Sequence, residues 1–324
     1  MLLLDLCRDA AFMHGLLRWF KLDFFKWCNK PGCENIYCSA VPEVNPSSME
    51  GVGTERASAT EASDGGAQVT EVYRCSVCRE VTRFPRYNNP AMLLTTRRGR
   101  CGEFANTFAL ICRSLGFDTR YVLDWTDHVW VEVWLSSLGR FVHADSCERS
   151  LDSPLMYEAG WNKKLHTIAS FGRYGVNDVI SRYSRKLDEI YVRRFEELEL
   201  PEMSIRQCIS HHDSIIYQEY ITRNTQFMSL QQQSLVEERP WDSTSAHFDT
   251  LEQGAIGFKV LADMVLPLDV VQARRRKEQR DLLGMAFLQP KDVKLEEMRG
   301  RISGDLAWRA ARGELGACAT VVDE

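Results

Sequence analysis

The sequence predicts an α+β fold, and three observations lead there. An apolar stripe of Phe104, Phe108, Ile111, Cys112 and Leu115 marks a helix that opens at Cys101. A period of two from His128 to Leu135 marks a strand, and Arg140 to Asp145, beyond a turn at Ser136 to Gly139, marks its returning partner. Ahead of this core, residues 1–30 space Phe12, Leu16, Trp19, Phe20, Phe24 and Trp27 by threes and fours, which predicts N-terminal helices packing on the core. Residues 31–90 carry cysteines around a stretch at about 39–70 that is rich in Ser, Glu, Gly, Ala and Thr. Its lack of large apolar side chains predicts a disordered loop. Residues 91–190 form the predicted core, and 191–324 read as a helical and partly disordered C-terminal extension. Within it, the basic run Arg274 to Lys277 reads as a solvated helix face.

Composition narrows the classes. The 324 residues are 44% hydrophobic and 26% charged, which suits a folded chain of one to three compact units. A formal charge of −5 supplies no field for gathering phosphates, so nucleic acid is not an expected partner. Met1 to Leu6 is interrupted by Asp5, and Arg8 and Asp9 follow, so no signal-peptide core is expected; no later run is long and apolar enough to span a bilayer. A soluble intracellular protein is expected. Its 11 cysteines, in a reducing compartment, point to metal ligation or a reactive thiol.

Cys101 carries that argument furthest. Backbone N–H groups and the dipole at a helix start stabilise an anion, so a thiol placed there ionises more readily than a free one. Along His128 to Leu135 the alternation puts Val129, Val131, Val133 and Leu135 on a core face. His128, Trp130, Glu132 and Trp134 fall on the other, read as a site. The returning strand can set Asp145 beside His128. The result is a nucleophile, a base and an orienting carboxylate in the order Cys101, His128, Asp145, the serine-triad logic carried over to sulfur. His143 ranks second as the base.

Around these residues run Arg83-Phe-Pro-Arg-Tyr-Asn-Asn-Pro90, Gly99-Arg-Cys-Gly-Glu103, Thr126-Asp-His-Val-Trp130, His143-Ala-Asp-Ser-Cys-Glu148 and Gly160-Trp-Asn-Lys-Lys164. By these strings the chain resembles the cytoplasmic peptide:N-glycanases, from about Leu16 to Tyr183 and again at Gly300-Arg-Ile-Ser-Gly-Asp-Leu-Ala-Trp308. The resemblance implies a transglutaminase-like, papain-like cysteine hydrolase core with a zinc-binding insertion and helical extensions. It also implies an amidase that cleaves the bond between N-acetylglucosamine and asparagine in misfolded N-glycoproteins, converting Asn to Asp through a thioester on Cys101. By the same resemblance Arg120, Trp130, Glu132, Phe141, Glu148 and Trp161 match positions that contact the chitobiose. Phe141 stands where the family generally has Trp, and so does Phe104.

Cys75 and Cys78 form a C-x-x-C knuckle, and Cys33 matches the family's earlier metal-binding cysteine. The next cysteine, Cys38, gives the wider spacing C-x4-C, and Cys28 is a further candidate. Cys33, Cys38, Cys75 and Cys78 are the expected ligands of one structural Zn2+, since four thiolates leave no open position for water. The resemblance further implies a cytoplasmic setting in glycoprotein catabolism, with the nucleus as a second compartment, and ubiquitin-shuttle or proteasome-associated partners. The rivals are a transglutaminase or cysteine peptidase with the same triad, and a catalytically silent glycan-binding adaptor.

Overall fold

The computed structural model describes residues 8–39, 48–236, 266–285 and 295–316. The reading of Met1 to Leu6, and the disorder expected at 40–47, 237–265, 286–294 and 317–324, lie outside the described residues.

Helix α1 (Arg8–Trp19) runs through a π-type turn at Phe20–Phe24 into β1 (Lys26–Trp27), so the N-terminal segment is one helix and an aromatic corner. The corner is dense: Phe20 stacks on Phe25 and meets Phe104 and Phe108 edge to face. A short helix α2 (Ile36–Ser39) follows. Strands β2 (Met49–Arg56), β3 (Val69–Cys75) and β4 (Val81–Pro85) form a three-stranded antiparallel sheet in that order, with α3 (Ala59–Gly65) between the first two.

This corrects the expected loop at 39–70. Strand β2 pairs with β3 from Met49 opposite Cys75 to Arg56 opposite Val69, around a bulge at Gly51 to Gly53. Helix α3 is closed by a reciprocal cap, Ser58 Oγ accepting from the Glu61 N–H while Glu61 accepts from the Ser58 N–H. Only Met49 of β2 is buried. The strand is therefore specified by its backbone ladder with β3, and its composition carries no apolar signal to announce it.

Helix α4 (Pro90–Thr96) leads to β5 (Arg98–Gly99), which pairs in parallel with β1 and delivers the chain into α5 (Cys101–Ser114). The main sheet follows: β6 (Thr119–Asp124), β7 (His128–Leu135), β8 (Arg140–Asp145), β9 (Ser150–Leu151), then helix α6 (Met156–Ala159) and strands β10 (Ile168–Gly172) and β11 (Gly175–Asp178). All neighbours are antiparallel, in the order β11-β10-β6-β7-β8-β9. On one face Val129, Val131 and Val133 pack with Phe104, Phe108 and Cys112 of α5. On the other, Val122 and Trp130 pack with Trp161 and with Tyr183 of α7 (Ile180–Tyr183) and Ile190 of α8 (Leu187–Leu198). The second face of β7, read from alternation as a site, carries both His128 and a second core around Trp130.

Helix α9 (Glu202–Val236) and α10 (Leu268–Met285) complete the extension. The basic run on α10 turns inward: Arg274 pairs with Asp118 at 2.7 Å and lies over Trp134, and Arg275 pairs with Asp213 of α9 at 2.6 Å. Arg276 keeps the expected solvated face, and Lys277 beside it pairs with Asp281 one turn on. A last segment, 295–316, holds α11 (Leu306–Ala311) and folds back on itself through a bridge between Arg299 and Gly316. Gly300 allows that closure, because a Cβ there would stand 2.0 Å from the Leu315 carbonyl oxygen.

Candidate active site

Cys101 is the first residue of α5, where its position is enforced from both sides. Glu103 reaches back to accept from the Arg100 N–H at 2.9 Å, and its two oxygens take Arg86 Nε and Nη2 at 2.6 and 3.0 Å. Gly99 makes room for that carboxylate, since a Cβ on it would lie 2.3 Å from Glu103 Cβ. Strand β7 carries His128 and β8 carries Asp145. The register sets Val131 opposite Ala144, so Asp145 is diagonal to His128 across the pair, and the longer side-chain reach closes the gap.

His128 Nε2 meets Asp145 Oδ2 at 2.8 Å, with both side chains fully buried. That leaves Nδ1 as the other ring nitrogen, and the His128 ring acts on the Cys101 thiol. Burial opposes ionisation of the Cys101 thiol, but the His128 bond and charge, joined by Arg301, outweigh it and hold the thiol below its ordinary value. For His128 burial likewise opposes charge, and Asp145 overcomes it and raises the ring's affinity for a proton. Asp145 pays the same penalty, and His128 keeps it ionised well below the usual carboxylate range. A thiolate beside an imidazolium is the state these groups favour together.

Asp145 is held by more than His128. Oδ2 also accepts from Tyr157 Oη at 2.9 Å, and Oδ1 accepts from the Cys147 N–H at 2.8 Å and the Glu148 N–H at 3.2 Å. Because Tyr157 donates to Asp145, it accepts from His143 Nε2 at 2.7 Å, while His143 Nδ1 faces the Ser153 N–H. His143 is therefore a neutral ring that orients the tyrosine, and it does not reach the thiol. Burial drives its pKa down to about 4.

In an NMR titration His143 is expected to stay neutral until about that pH, while His128 titrates above an ordinary imidazole. His143, depressed in the fold, contributes stability above about pH 6.5 that is lost as pH falls towards about 4. His128, raised, contributes stability below its unfolded value that is lost as pH rises through its folded one. Titration of His143 near pH 6.5 in the folded protein would contradict this assignment.

Cys101 opens on a cleft of about 380 Å³ walled by Trp27, Tyr73, Asp127, Arg301 and Trp308. None of the six residues matched to chitobiose contacts lines this cleft, and Arg120, Trp130, Glu132 and Phe141 are buried in the sheet. Arg120 and Arg182 share the carboxylates of Glu132 and of Glu278 from α10, at 2.5 to 2.8 Å, all buried. Phe141 lies 3.8 Å beneath the Arg120 guanidinium, and Trp130 Nε1 donates to Tyr183 Oη. The Arg120–Glu132–Arg182 network holds α10 to the sheet through Glu278, while Trp130 ties β7 to α7. Trp161 is closer to the chemistry, its ring 4.9 Å from His128, and Glu148 accepts from the Ile302 and Ser303 N–H groups at 2.6 and 3.0 Å.

The residues that reading by sequence missed are Tyr157, Asp127, Arg182, Glu278 and Arg301. Only Asp127 and Arg301 stood inside a quoted string, and no local periodicity marks the others.

Beside the cleft, the sulfurs of Cys33, Cys38, Cys75 and Cys78 all lie within 4.8 Å of one another, with Cys33 to Cys78 at 3.5 Å and Cys38 to Cys75 at 3.7 Å. A tetrahedron with metal–sulfur bonds of about 2.3 Å has sulfur–sulfur edges of about 3.8 Å, so the cluster could hold a metal ion. Cys28 packs in the same cluster but is not one of the four.

A thiol at a helix start, an imidazole on the adjoining strand and a carboxylate on the next are the arrangement of a transglutaminase-like cysteine enzyme, and residues 52–146 match the Transglutaminase-like superfamily. Among curated proteins, the peptide-N(4)-(N-acetyl-beta-glucosaminyl)asparagine amidase of Saccharomyces cerevisiae is 35% identical over 301 residues, covering 93% of this chain and 69% of that protein. This chain belongs to that amidase family. The Gallus gallus amidase is 38% identical over 303 residues, and the Arabidopsis thaliana amidase 45% identical over 187 residues. The matches cover 93% and 58% of this chain, but only 37% and 24% of those longer relatives.

Proposed function

We propose that this chain hydrolyses the amide joining N-acetylglucosamine to an asparagine side chain in denatured N-glycoproteins, releasing the glycan and leaving aspartate. The observation that carries this reading is the Cys101–His128–Asp145 centre, opening on an aromatic-walled cleft in a chain of the amidase family. The Cys101 thiolate attacks the side-chain carbonyl carbon, forming a C–S bond and a tetrahedral oxyanion that backbone N–H groups at the start of α5 stabilise. As the C–N bond breaks, His128 gives its proton to the departing glycosylamine. Water then enters, His128 takes a proton from it, and the resulting hydroxide displaces Cys101 from the thioester.

The sugar meets the rings of Trp27 and Trp308 at the cleft mouth, since aromatic faces cover the apolar faces of pyranoses. Trp161 packs against His128 and Glu148 holds the Ile302–Ser303 backbone, so both support the centre beside the cleft. Incubation with a denatured high-mannose glycoprotein is expected to release free glycan, and Cys101→Ala to abolish release by at least about a thousandfold while leaving the thermal midpoint within a few degrees. Retained release by Cys101→Ala would remove the reading.

The four-cysteine cluster is proposed to bind one structural zinc, tying the 28–39 segment to β3 and the turn after it. Cys38→Ser is expected to lower bound zinc, measured by inductively coupled plasma mass spectrometry, from one per chain to well under one, and to lower the thermal midpoint. Full zinc occupancy in Cys38→Ser would put the ligand set elsewhere. A free thiolate and four reduced cysteines fit a reducing compartment, so a cytoplasmic location is proposed with it.

A further inference from the structure

Arg301 is a buried charge in the cleft that the reaction above does not use. It is 1% exposed although it lies on irregular chain. Nε donates to Ser303 Oγ at 2.9 Å and Nη1 to Glu314 Oε2 at 3.0 Å, and the guanidinium carbon stands 4.4 Å over the Trp308 ring and 4.7 Å over the Trp161 ring. With two edges bonded and two rings near the plane, Nη2 is the end left for the triad, and it lies 3.5 Å from His128 Nδ1.

The segment that carries it is fixed at three further points. Glu148 accepts from the Ile302 and Ser303 N–H groups, Arg312 bridges Asp127 and Glu314, and Asp305 accepts from Asn29. An arginine needed only to staple this segment could stop at Glu314. Bringing its far nitrogen to a buried imidazole costs desolvation that the staple does not require.

We propose that Arg301 is a positioning residue of the thiol centre: the clasp at 299–316 docks its guanidinium beside Cys101 and the Nδ1 edge of His128 as a fixed positive charge. That charge favours thiolate over thiol and disfavours the imidazolium. The nucleophile is thereby ionised at lower pH, and His128 gives its proton more readily to the departing amine. The other titratable groups around the pair are Asp145 and the neutral His143 facing His128, Asp127 facing Cys101, and Glu314 and Glu148 facing Arg301. Both Cys101 and His128 feel Arg301 in the direction that lowers their pKa.

The proposal rests on the triad but not on the glycan substrate, so its test uses neither glycan nor turnover. The rate of Cys101 alkylation by iodoacetamide, a neutral reagent, is followed by mass spectrometry from about pH 5 to 9 in the full chain. Arg301→Met and Arg301→Gln are expected to move the acid limb of the profile to higher pH, with roughly tenfold slower alkylation on that limb. Arg301→Lys is expected to keep the limb near its wild-type position. Thermal unfolding identifies the variants that keep the fold, and Arg301→Gln, which retains hydrogen-bonding capacity towards Glu314, serves where Arg301→Met does not. A rate that changes equally at every pH with the limb unmoved would overturn the proposal, because loosened structure alone does that. Faster alkylation in either neutral variant would also overturn it, showing Arg301 to be a plug over the thiol.

Discussion

Asp145→Asn is expected to slow glycan release by about 10³- to 10⁴-fold while the fold persists. The size of the effect follows from the four donors around the carboxylate. Its Oδ1 takes the Cys147 and Glu148 N–H groups, and its Oδ2 takes His128 Nε2 and Tyr157 Oη. An amide keeps one oxygen and turns the other position into a donor. The two backbone N–H groups cannot rotate away, so the amide oxygen stays with them and the NH₂ faces His128 and Tyr157. His128 must then present a lone pair at Nε2 and carry its proton on Nδ1, the nitrogen that faces Cys101. A ring in that tautomer cannot accept the thiol proton. Glycan release and iodoacetamide alkylation near neutral pH should fall together. Wild-type alkylation with slowed release would locate the defect in substrate binding and contradict the tautomer argument.

Glu132→Ala is expected to cost about 3–5 kcal/mol of folding stability, the largest single loss in the sheet. Glu132 is fully buried and neutralises two arginines, accepting from Arg182 Nη1 and Tyr183 Oη on one oxygen and from Arg120 on the other. Without it, Arg120 and Arg182 are left with Glu278 alone, so the interior holds two cations against one anion. The network also joins α10 to β6 and β7, since Glu278 bonds both arginines. Urea unfolding followed by tryptophan fluorescence measures the loss. A change below about 1 kcal/mol would show that solvent reaches these groups in the folded protein.

The same network shows where reading by sequence stopped. Alternation along His128 to Leu135 identified the strand and its two faces, and the apolar stripe after Cys101 identified the helix start, so the triad was legible from local periodicity. What alternation could not show is that Glu132 faces charge from α10, because Glu278 bonds Arg120 from 158 residues away. Arg120, Trp130, Glu132 and Phe141, matched to sugar contacts by the family resemblance, are all buried in the structure. Arg301 sat in a noted string, Gly300 to Trp308, yet its place beside His128 is a contact across 173 residues with no local signature. Strand β2 was missed for the opposite reason: its residues bury little, and only pairing with β3 defines it. The four cysteines were legible despite the wide spacing of Cys33 and Cys38, because a knuckle with loop freedom tolerates it.

The measurement that bears most directly on a thiol-centred amidase is the fate of a single N-glycopeptide incubated with the protein in ¹⁸O-labelled water. Hydrolysis through a thioester on Cys101 predicts one ¹⁸O atom in the side-chain carboxylate of the new aspartate, an intact peptide backbone and a released glycan, with neither label nor free glycan from Cys101→Ala. Cleavage of a backbone peptide bond, joining of the asparagine carbonyl to an added amine in place of water, or no product from wild-type protein on an accessible glycopeptide would contradict it.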